Sequence, residues 1–503
     1  MSEARRTAPL SVLAGALGSI RSAVLPAIAI AFSGVGGSGG RIMLAIGVGL
    51  AAAVIGSVIS YVGWRRFTYV VGEADIRVES GIISRAARSV PYERIQDVSL
   101  AEPLLARLVG LVAVKFETGA GGAEDLSLAY VTAAEAERLR QLVRERRDES
   151  AAGAAEVSGA PSSDVAAPDG EPAGEVLFAM PPRRLVTFGL FEFSLAVFAV
   201  LGGLLQYADN IPGVDVWNVR LWQSWLGEQG STVAASGPVA QALAAIAGLV
   251  GLVAIGFATG LARTIAREWG FVLTRTARGF RRQRGLFTRT DVVMPAHRVQ
   301  ALEIGTGVVR YRFGWHALRF VSLAQDNKST SHDVAPFATM AEIAPIAAAA
   351  GFALPGEATD WQRASTAYRN DRIAGAALLF LVLAATLATL APFGWFLIPL
   401  GGALVAGVVV VYEWEFRRRH AIDEGQVYAM HGLLAPHSQI AKRLKLHSAE
   451  IAQNPVARLR GYATLHLGLA GGQLAIRGLP LARAREVRAC VLETMCAADF
   501  SRI

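Results

Sequence analysis

The chain has 503 residues, of which 53% are hydrophobic and 18% are charged, and its mean hydropathy is +0.39. This composition is too apolar for an ordinary soluble enzyme and predicts a polytopic membrane protein, because several apolar runs reach the roughly 20 residues needed to cross a bilayer. A formal net charge of +8 is more typical of basic cytoplasmic loops than of nucleic-acid binding. The two cysteines, Cys490 and Cys496, have no Cys/His cluster around them, which argues against a zinc or other metal site.

Six apolar runs, arranged in three pairs, are predicted to span the membrane. The first follows an interfacial N-terminal stretch and ends before the glycine-rich residues 34–40, and the last two are joined only by the turn 391–394. The predicted spans cover residues 22–33, 42–63, 185–207, 239–261, 373–390 and 395–412. The sequence therefore predicts three transmembrane hairpins.

Basic residues are distributed unevenly about these spans. Arginine pairs or clusters flank one side of all six, whereas the opposite loops hold only Arg41 and Arg220. Cytoplasmic loops carry the excess of Lys and Arg in membrane proteins. We therefore expect both termini, and the three segments that follow the hairpins, to be cytoplasmic.

The segment behind the first hairpin is predicted to form strands followed by one helix. Runs rich in Val, Ile, Phe and Tyr alternate with short polar or glycine-containing breaks, as in an antiparallel sheet. Thr132 precedes a helical stretch with acidic residues near its start, which is an N-cap signal. The predicted strands are 67–71, 75–79, 81–84, 87–91, 95–100 and 112–118, and the predicted helix is 133–147.

This segment occurs three times in the chain. Each copy opens on a tryptophan, contains a Gly-aliphatic pair, and reaches a second glycine at the end of an Arg-containing tetrapeptide. The interval between the two glycines is 29 residues in every copy. The tryptophans are Trp64, Trp269 and Trp414, the first glycines are Gly81, Gly285 and Gly432, and the second glycines are Gly110, Gly314 and Gly461. Copies one and two share Pro-x-x-Arg-aliphatic-Gln at 91–96 and 295–300, whereas copy three keeps only a cation and an aliphatic residue at 442–447.

The repeats and hairpins divide the chain into eight predicted segments. Two of them are expected to be linkers, and the first linker is rich in Ala, Gly, Pro, Ser and acids without periodicity. The hairpins are assigned to 1–63, 183–262 and 371–413, the domains to 64–147, 263–350 and 414–503, and the linkers to 148–182 and 351–370.

The tryptophan and arginines at the hairpin exit, the Gly-aliphatic turn, the Pro-x-x-Arg-[Ile/Val]-Gln motif and the closing tetrapeptide resemble the bacterial pleckstrin-homology-like membrane proteins of the YdbT/YdbS type, in their three-domain form. The resemblance covers nearly the whole chain. It implies that each repeat is a PH-like domain, a strongly bent antiparallel sheet of about seven strands with a C-terminal helix, in a protein of the bacterial inner membrane. It suggests a part in envelope stress tolerance but implies no reaction, because such families are defined by a domain.

Three cations of the central motif are candidate binding residues. Arg94, Arg298 and the corresponding Lys445 are able to hold a lipid phosphate by a charge-assisted hydrogen bond. The alternative is that this motif is a structural corner between strands, fixed by contacts with carbonyl or carboxylate groups. Copy three lacks the proline and the glutamine, so its competence for binding is the least supported.

A second candidate is the basic patch Arg281, Arg282 and Arg284, which lies between Phe280 and Phe287. Residues 64–143 of the first repeat contain 10 cations and 11 acids, whereas residues 269–350 of the second contain 11 and 5 and residues 414–495 of the third contain 12 and 6. A repeat that meets anionic headgroups is therefore expected to be the second or third, since each basic residue near the surface adds about 1 kcal/mol toward anionic lipid. The alternative for the patch is a solvated strand edge protected against pairing.

Glu192 lies within the third predicted span. A charged carboxylate there costs about 2.5–3.5 kcal/mol on insertion scales, so an intramembrane acid is a candidate proton or cation relay. The alternative is a protonated or hydrogen-bonded residue in helix packing.

The sequence contains no P-loop, G-x-S-x-G, H-E-x-x-H, paired C-x-x-C or dinucleotide motif. We therefore predict a non-enzymatic protein without cofactor, whose cytoplasmic PH-like domains act as binding or assembly modules at the membrane surface. The expected partners are membrane lipids, including anionic headgroups, or a membrane protein or another copy of the chain, and not nucleic acid. The alternative is a transporter or flippase-like protein whose function is carried by the spans and Glu192.

Overall fold

A computed structural model describes most of the chain. The described residues are 5–12, 38–81, 86–118, 126–158, 174–193, 237–277, 279–326, 329–390, 394, 397–432 and 434–497. The chain divides into two compact units, and the division falls inside the second repeat. The first unit comprises Met1–Gly170, Ala179–Val272 and Arg282–Val293, and the second comprises Glu171–Phe178, Leu273–Arg281 and Met294–Ile503.

Four helices in the described part of the chain are long and apolar enough to cross a membrane. They are α1 (Ser38–Arg66), α5 (Pro238–Glu268), α8 (Thr366–Leu390) and α9 (Leu397–Phe416). At most 17% of the apolar window of any of them is buried, so each presents the apolar surface expected of a helix in lipid. They match the second, fourth, fifth and sixth predicted spans. The first predicted span and most of the third lie outside the described residues.

The first repeat, in the first unit, forms two groups of three antiparallel strands and a C-terminal helix. Its elements are β1 (Thr68–Val71), β2 (Asp75–Ser80), β3 (Ala86–Pro91), a 3-10 turn (Tyr92–Arg94), β4 (Ile95–Pro103), α2 (Leu104–Leu108), β5 (Leu111–Thr118), β6 (Leu126–Thr132) and α3 (Ala133–Ser158). The core contains alternate residues of β5, such as Val114 and Phe116, together with Ile76 and with Leu139 of α3. This period of two is that of strands with one face buried.

The remaining elements repeat this order twice, each time after a short strand. They are β7 (Glu175–Ala179), α4 (Pro182–Phe191), β8 (Val272–Thr276), β9 (Gly279–Arg284), β10 (Thr288–Pro295), β11 (Ala301–Gly305), α6 (Val308–Arg312), β12 (His316–Asp326), β13 (Ser329–Ala338), α7 (Met340–Ala349), β14 (Gln362–Arg363), β15 (Arg419–Ile422), β16 (Gln426–His431), β17 (His437–Lys442), β18 (Leu446–Ala452), α10 (Pro455–Arg460), β19 (Tyr462–Leu469), β20 (Gly472–Pro480) and α11 (Leu481–Ala497). The second unit contains a sheet of order β13-β12-β11-β17-β16-β15-β14 and a sheet of order β18-β19-β20.

The glycines that define the repeat have the backbone conformation that requires glycine. Gly81, Gly285 and Gly432 have φ of 122°, 114° and 96°, and the second glycines of the three copies lie between 69° and 73°. A Cβ built on Gly285 would stand 1.9 Å from the Thr288 carbonyl oxygen. The invariant interval therefore reflects two positions that side chains occupy only with strain.

Strands from neighbouring repeats pair with each other. In the first unit, β4 of the first repeat pairs antiparallel with β10 of the second. In the second unit, β11 of the second repeat pairs antiparallel with β17 of the third. Neighbouring repeats are therefore joined edge to edge, because the fourth strand of one repeat pairs with the third strand of the next.

The predicted linkers contain regular structure. Helix α3 continues to Ser158, well beyond the predicted end at residue 147, and β7 precedes the helix α4 inside the predicted linker 148–182. The second linker contains β14, which pairs with β15. Composition alone concealed these strands because each is short and is stabilised by a partner strand distant in sequence. Strand β6 was likewise absent from the predicted elements.

Candidate functional site

A cavity of about 330 Å³ lies in the third repeat, between strands β15 to β17 and strand β20. Its size is at the lower end of the range for small-molecule sites. The polar residues that line it are Arg418, Arg419, His420, His431, His437, Gln439, Gln473 and Arg477. No aspartate or glutamate is among its lining residues, so we call it the cationic pocket.

The strand register brings the histidines of the pocket together. Strands β16 and β17 are joined by the turn at Gly432, and this turn places His431 directly opposite His437. Their ring centroids are 5.1 Å apart. Strand β15 adds His420 opposite the small residue Ala429, which leaves space between the strands.

The arginines enter the pocket from the end of α9. Arg418 and Arg419 follow this apolar helix within three residues, so the pocket lies beside the base of a candidate membrane span. Arg418 forms a salt bridge with Glu413, a buried acid that also binds Arg372 at 2.7 Å. Arg419 donates from Nη2 to the Glu415 carbonyl oxygen at 2.9 Å.

Two buried polar atoms of lining residues lack a hydrogen-bond partner within the described part of the chain. They are Nε of Arg419 and Nε2 of His420, and the His420 side chain is only 3% exposed. Buried polar atoms in native proteins are normally satisfied by protein, water or ligand. The pocket therefore offers hydrogen-bonding capacity that the strands around it do not use.

The surroundings of the three histidines favour their neutral forms. Burial, together with a smaller contribution from Arg483, lowers the pKa of His420 to about 4, although Asp360 acts in the opposite direction. Burial likewise lowers the pKa of His431 to about 4, with smaller contributions in the same direction from His437 and Arg418. The pKa of His437 is also lowered, chiefly by burial. Burial is thus the main reason that these imidazoles are neutral, and the nearby arginines add to it at His420 and His431; a bound anion would offset the contribution of the arginines.

This arrangement fits a phosphate-type anion better than a metal ion. Guanidinium groups bind phosphate oxygens through charge-assisted hydrogen bonds, and neutral imidazoles donate one further hydrogen bond each. Within the described residues no group of three or more His, Cys, Asp or Glu side chains has an arrangement suited to holding a metal.

The three motif cations that the sequence singled out occupy corners between strands. Arg94, Arg298 and Lys445 each end a 3-10 turn. Arg94 is exposed, Arg298 is buried and Lys445 is half-buried, so the three do not form one repeated surface. This geometry agrees with the alternative reading of the motif as a structural corner.

In the third repeat the corner is fastened by a different residue. Arg443, at the first position of the turn, donates from Nη1 to the carbonyl oxygens of Asp423 and Glu424 at 3.0 and 3.2 Å. Its Nη2 donates to Cys490 O and Thr494 Oγ1 of α11. In the first repeat the corresponding residue is Tyr92, whose hydroxyl donates to the Gly72 carbonyl oxygen at 2.9 Å.

The predicted basic patch on β9 does not form a single exposed surface. Arg282 is buried, with 3% exposure. Arg284 binds both carboxylate oxygens of the fully buried Glu268, at 3.0 and 3.2 Å. Arg281 is half-buried. Two of the three cations are therefore directed into the protein, because β9 packs against the end of α5 where Glu268 requires a counter-ion.

Glu192 is the residue after α4, and it is half-buried. The helix that the sequence predicted to continue through it ends at Phe191 in the described structure. Residues 194–236, which contain the rest of that span, lie outside the described residues, and the relay hypothesis stays a prediction.

The cationic pocket was missed at the level of sequence. Five of the eight histidines fall in the third repeat, but no metal-ligand spacing connects them. The usable signal was the repeated glycine: Gly432 corresponds to Gly81 and Gly285, and a hairpin turn at this position places His431 and His437, on its two sides, opposite each other.

Comparison with known proteins identifies the repeated domain. The family model for the bacterial PH domain matches residues 14–147, 234–349 and 372–495. A relative, the UPF0699 transmembrane protein YdbT of Bacillus subtilis (strain 168), is 26% identical over 287 residues. The match covers 56% of this chain and 53% of that relative, so the chain spans about half the length of the curated relative it matches. No solved structure matches the chain.

The three matches coincide with the three copies of the repeat and together cover more than half of the chain. Each match also includes part or all of the apolar segment that precedes its copy. Together with the four candidate membrane helices, these matches establish that the chain belongs to the bacterial PH domain family and is a membrane-associated protein with a threefold repeat of that domain.

Proposed function

We propose that this protein is a non-enzymatic binding protein of the bacterial inner membrane, and that its third domain binds an anionic, phosphate-bearing group at the cytoplasmic membrane surface. The observation that supports this proposal best is the cationic pocket, with arginines and neutral histidines and no acid in its lining. A part in envelope stress tolerance is a consistent physiological role.

The position of the pocket favours a ligand at the membrane surface. Arg418 and Arg419 lie just beyond α9, and Ala364, whose backbone N–H donates to the Arg418 carbonyl oxygen at 3.4 Å, lies two residues before α8. Both helices are candidate membrane spans. A phosphate group at headgroup depth would therefore be within reach of the pocket without leaving the lipid layer. The excess of arginine at this end of the helices is also what the positive-inside rule expects of the cytoplasmic face.

The test uses the full-length protein in detergent with two soluble probes. Dihexanoyl phosphatidylglycerol supplies an anionic phosphodiester headgroup, and inorganic phosphate supplies the free anion. Dihexanoyl phosphatidylcholine is the neutral comparison. Binding of each is measured by isothermal titration calorimetry for the parent protein and for Arg419→Gln and Arg477→Gln, two lining residues.

Each substitution removes a charged hydrogen-bond donor worth about 1.5–3 kcal/mol, so affinity for the anionic probe should fall roughly 10- to 150-fold. Arg485→Gln is the matched control, because Arg485 is exposed on α11 of the same repeat and its loss changes the net charge equally. Equal weakening by all three variants would indicate general electrostatic attraction and would contradict a specific pocket. Binding of phosphate alone would place the ligand in solution and not in the membrane.

A further inference from the structure

The two places where neighbouring repeats join are built from the same positions of the repeat. In the first joint, residues Leu100 to Pro103 of β4 pair with residues Asp291 to Thr288 of β10. In the second joint, β11 pairs with β17, and Ile304 lies opposite Ser438. Both joints are antiparallel and connect the fourth strand of one repeat to the third strand of the next.

The register of the two joints is identical. Gly285 lies 204 residues after Gly81, and Gly432 lies 147 residues after Gly285. With these intervals Leu100 corresponds to Ile304, and their partners Asp291 and Ser438 also correspond to each other. A one-residue change of register would turn every side chain to the opposite face. The shared register therefore indicates that neighbouring repeats associate in one specific way.

This mode of association leaves one strand edge at each end of the series. In the described part of the chain, β3 is the last strand of the sheet β1-β2-β3 and β18 is the first strand of the sheet β18-β19-β20. Strand β3 is the third strand of the first repeat, and β18 is the fourth strand of the last. They are the same two kinds of strand that pair in both joints.

Both edges are more exposed than their counterparts in the joints. Five of the six residues of β3 are exposed, four of them in succession from Ala86 to Ser89. In β18, three residues are exposed: His447, Ser448 and Glu450. The corresponding strand β11 within the second joint has no exposed residue. An exposed edge strand is a template for pairing with another strand.

We propose that β18 of one chain pairs with β3 of a second copy of this chain, in the register of the two internal joints. This register places Glu450 opposite Arg88, so the two edges carry opposite charges at one position. The equivalent pair in the second joint is Glu303 and Gln439, where Gln439 Nε2 donates to Glu303 Oε1 at 2.9 Å. An arginine opposite the acid makes the same contact with a full charge.

The proposed contact is heterologous, because one surface of the chain meets a different surface of its neighbour. Such contacts generate rings when the rotation closes and open filaments when it does not. Each added chain would continue the series of repeats by three, with the same joint throughout. The proposal does not depend on anion binding by the third domain, and its test has a separate readout.

Disulfide trapping between two differently tagged chains tests the pairing. Both chains first receive Cys490→Ser and Cys496→Ser, and one then carries Arg88→Cys and the other Glu450→Cys. Residues opposite each other in an antiparallel pair have Cα atoms about 4.5–5.5 Å apart, which is within the range of a disulfide. After co-expression and mild oxidation in membranes, we expect a product that contains both tags.

Two control pairs of cysteines test the oxidation conditions and the register. Glu303→Cys with Gln439→Cys in one chain should form the equivalent disulfide within the second joint and shows that the fold and the oxidation are adequate. Ala449→Cys in place of Glu450→Cys moves the thiol to the other face of β18 and should give no product with Arg88→Cys.

The proposal is overturned if the internal control forms its disulfide but the two-tag product is absent. It is also overturned if Arg88→Cys and Glu450→Cys, placed in the same chain, react only within that chain, since the edges then close on themselves. Exchange of charge supplies a second measurement. Arg88→Glu or Glu450→Arg alone should reduce the oligomer fraction in native mass spectrometry, and the double variant should restore it.

Discussion

Binding of an anion in the cationic pocket should strengthen as the pH falls, and the His431 side chain is the group responsible. In the unoccupied pocket the pKa of His431 is about 4, because of burial and because His437 and Arg418 oppose its protonation. A bound anion stabilises the imidazolium and raises this pKa, so the occupied protein takes up a proton that the empty protein does not hold. By linkage, affinity then increases as the pH decreases toward the pKa of the empty site.

The size of the effect follows from the two pKa values. A full return of His431 to the ordinary pKa of 6.5 would raise affinity at pH 5 over affinity at pH 8 by about 30-fold at most. Because the His431 side chain is exposed, solvent screening reduces this, and we expect a gain of several-fold. Dihexanoyl phosphatidylglycerol is the appropriate probe, because its phosphodiester keeps a single negative charge over this range. Phosphate is unsuitable, since its own second ionisation falls within this pH range and changes its charge.

The assay is calorimetric titration of the full-length protein at pH 8, 6.5 and 5. His431→Gln keeps a polar side chain that does not titrate, and it should bind the probe with a flatter pH profile. If the pH dependence of affinity is unchanged in His431→Gln, another titratable group is responsible for it. Affinity that is constant from pH 8 to pH 5, or that rises toward pH 8, would refute the reasoning that the pocket holds an anion beside His431.

Three further predictions concern stability and the spans. Glu268→Gln should lower the melting temperature because it removes the partner of Arg284, and breaking a buried pair costs about 3–5 kcal/mol of stability. The double variant Glu268→Gln with Arg284→Met should recover much of the lost stability. His420 has a pKa of about 4 in the folded protein against an ordinary 6.5, so the unfolded chain takes up a proton at a higher pH than the folded protein does. The free energy of unfolding should therefore fall by about 2 kcal/mol between pH 8 and pH 5. His420→Gln should not show this fall. Glu192→Gln should leave anion binding unchanged. If transport of a lipid or ion is detected in proteoliposomes and disappears in this variant, the transporter alternative gains support.

The joints between repeats have a practical consequence for work on single domains. A fragment confined to the second repeat would expose β10 without β4, and β11 without β17. Exposed edge strands pair with whatever strand is available and promote aggregation. Experiments on membrane binding are therefore designed for the full chain, and a fragment that fails to bind lipid would not inform on the function of the domain.

The repeat and its turns were determined by the sequence alone. The 29-residue interval between glycines predicted two fixed backbone points in each copy, and the structure gives every one of these six glycines a positive φ. Such positions are readable from sequence because glycine has no substitute there that avoids strain. Four of the apolar runs were equally readable, since hydrophobicity over about 20 residues is sufficient to specify a candidate span.

The partners of side chains were decided only by the tertiary structure. The sequence showed Arg284 as one cation in a basic run, but strand β9 carries it to Glu268, sixteen residues earlier. The sequence showed His420 and Arg477 as unrelated residues, but the fold places His420 of β15 and Arg477 of β20 on one cavity. Pairing between strands of different repeats was also beyond the sequence pattern, because alternation of polar and apolar residues specifies which face of a strand is buried and does not specify which strand lies beside it.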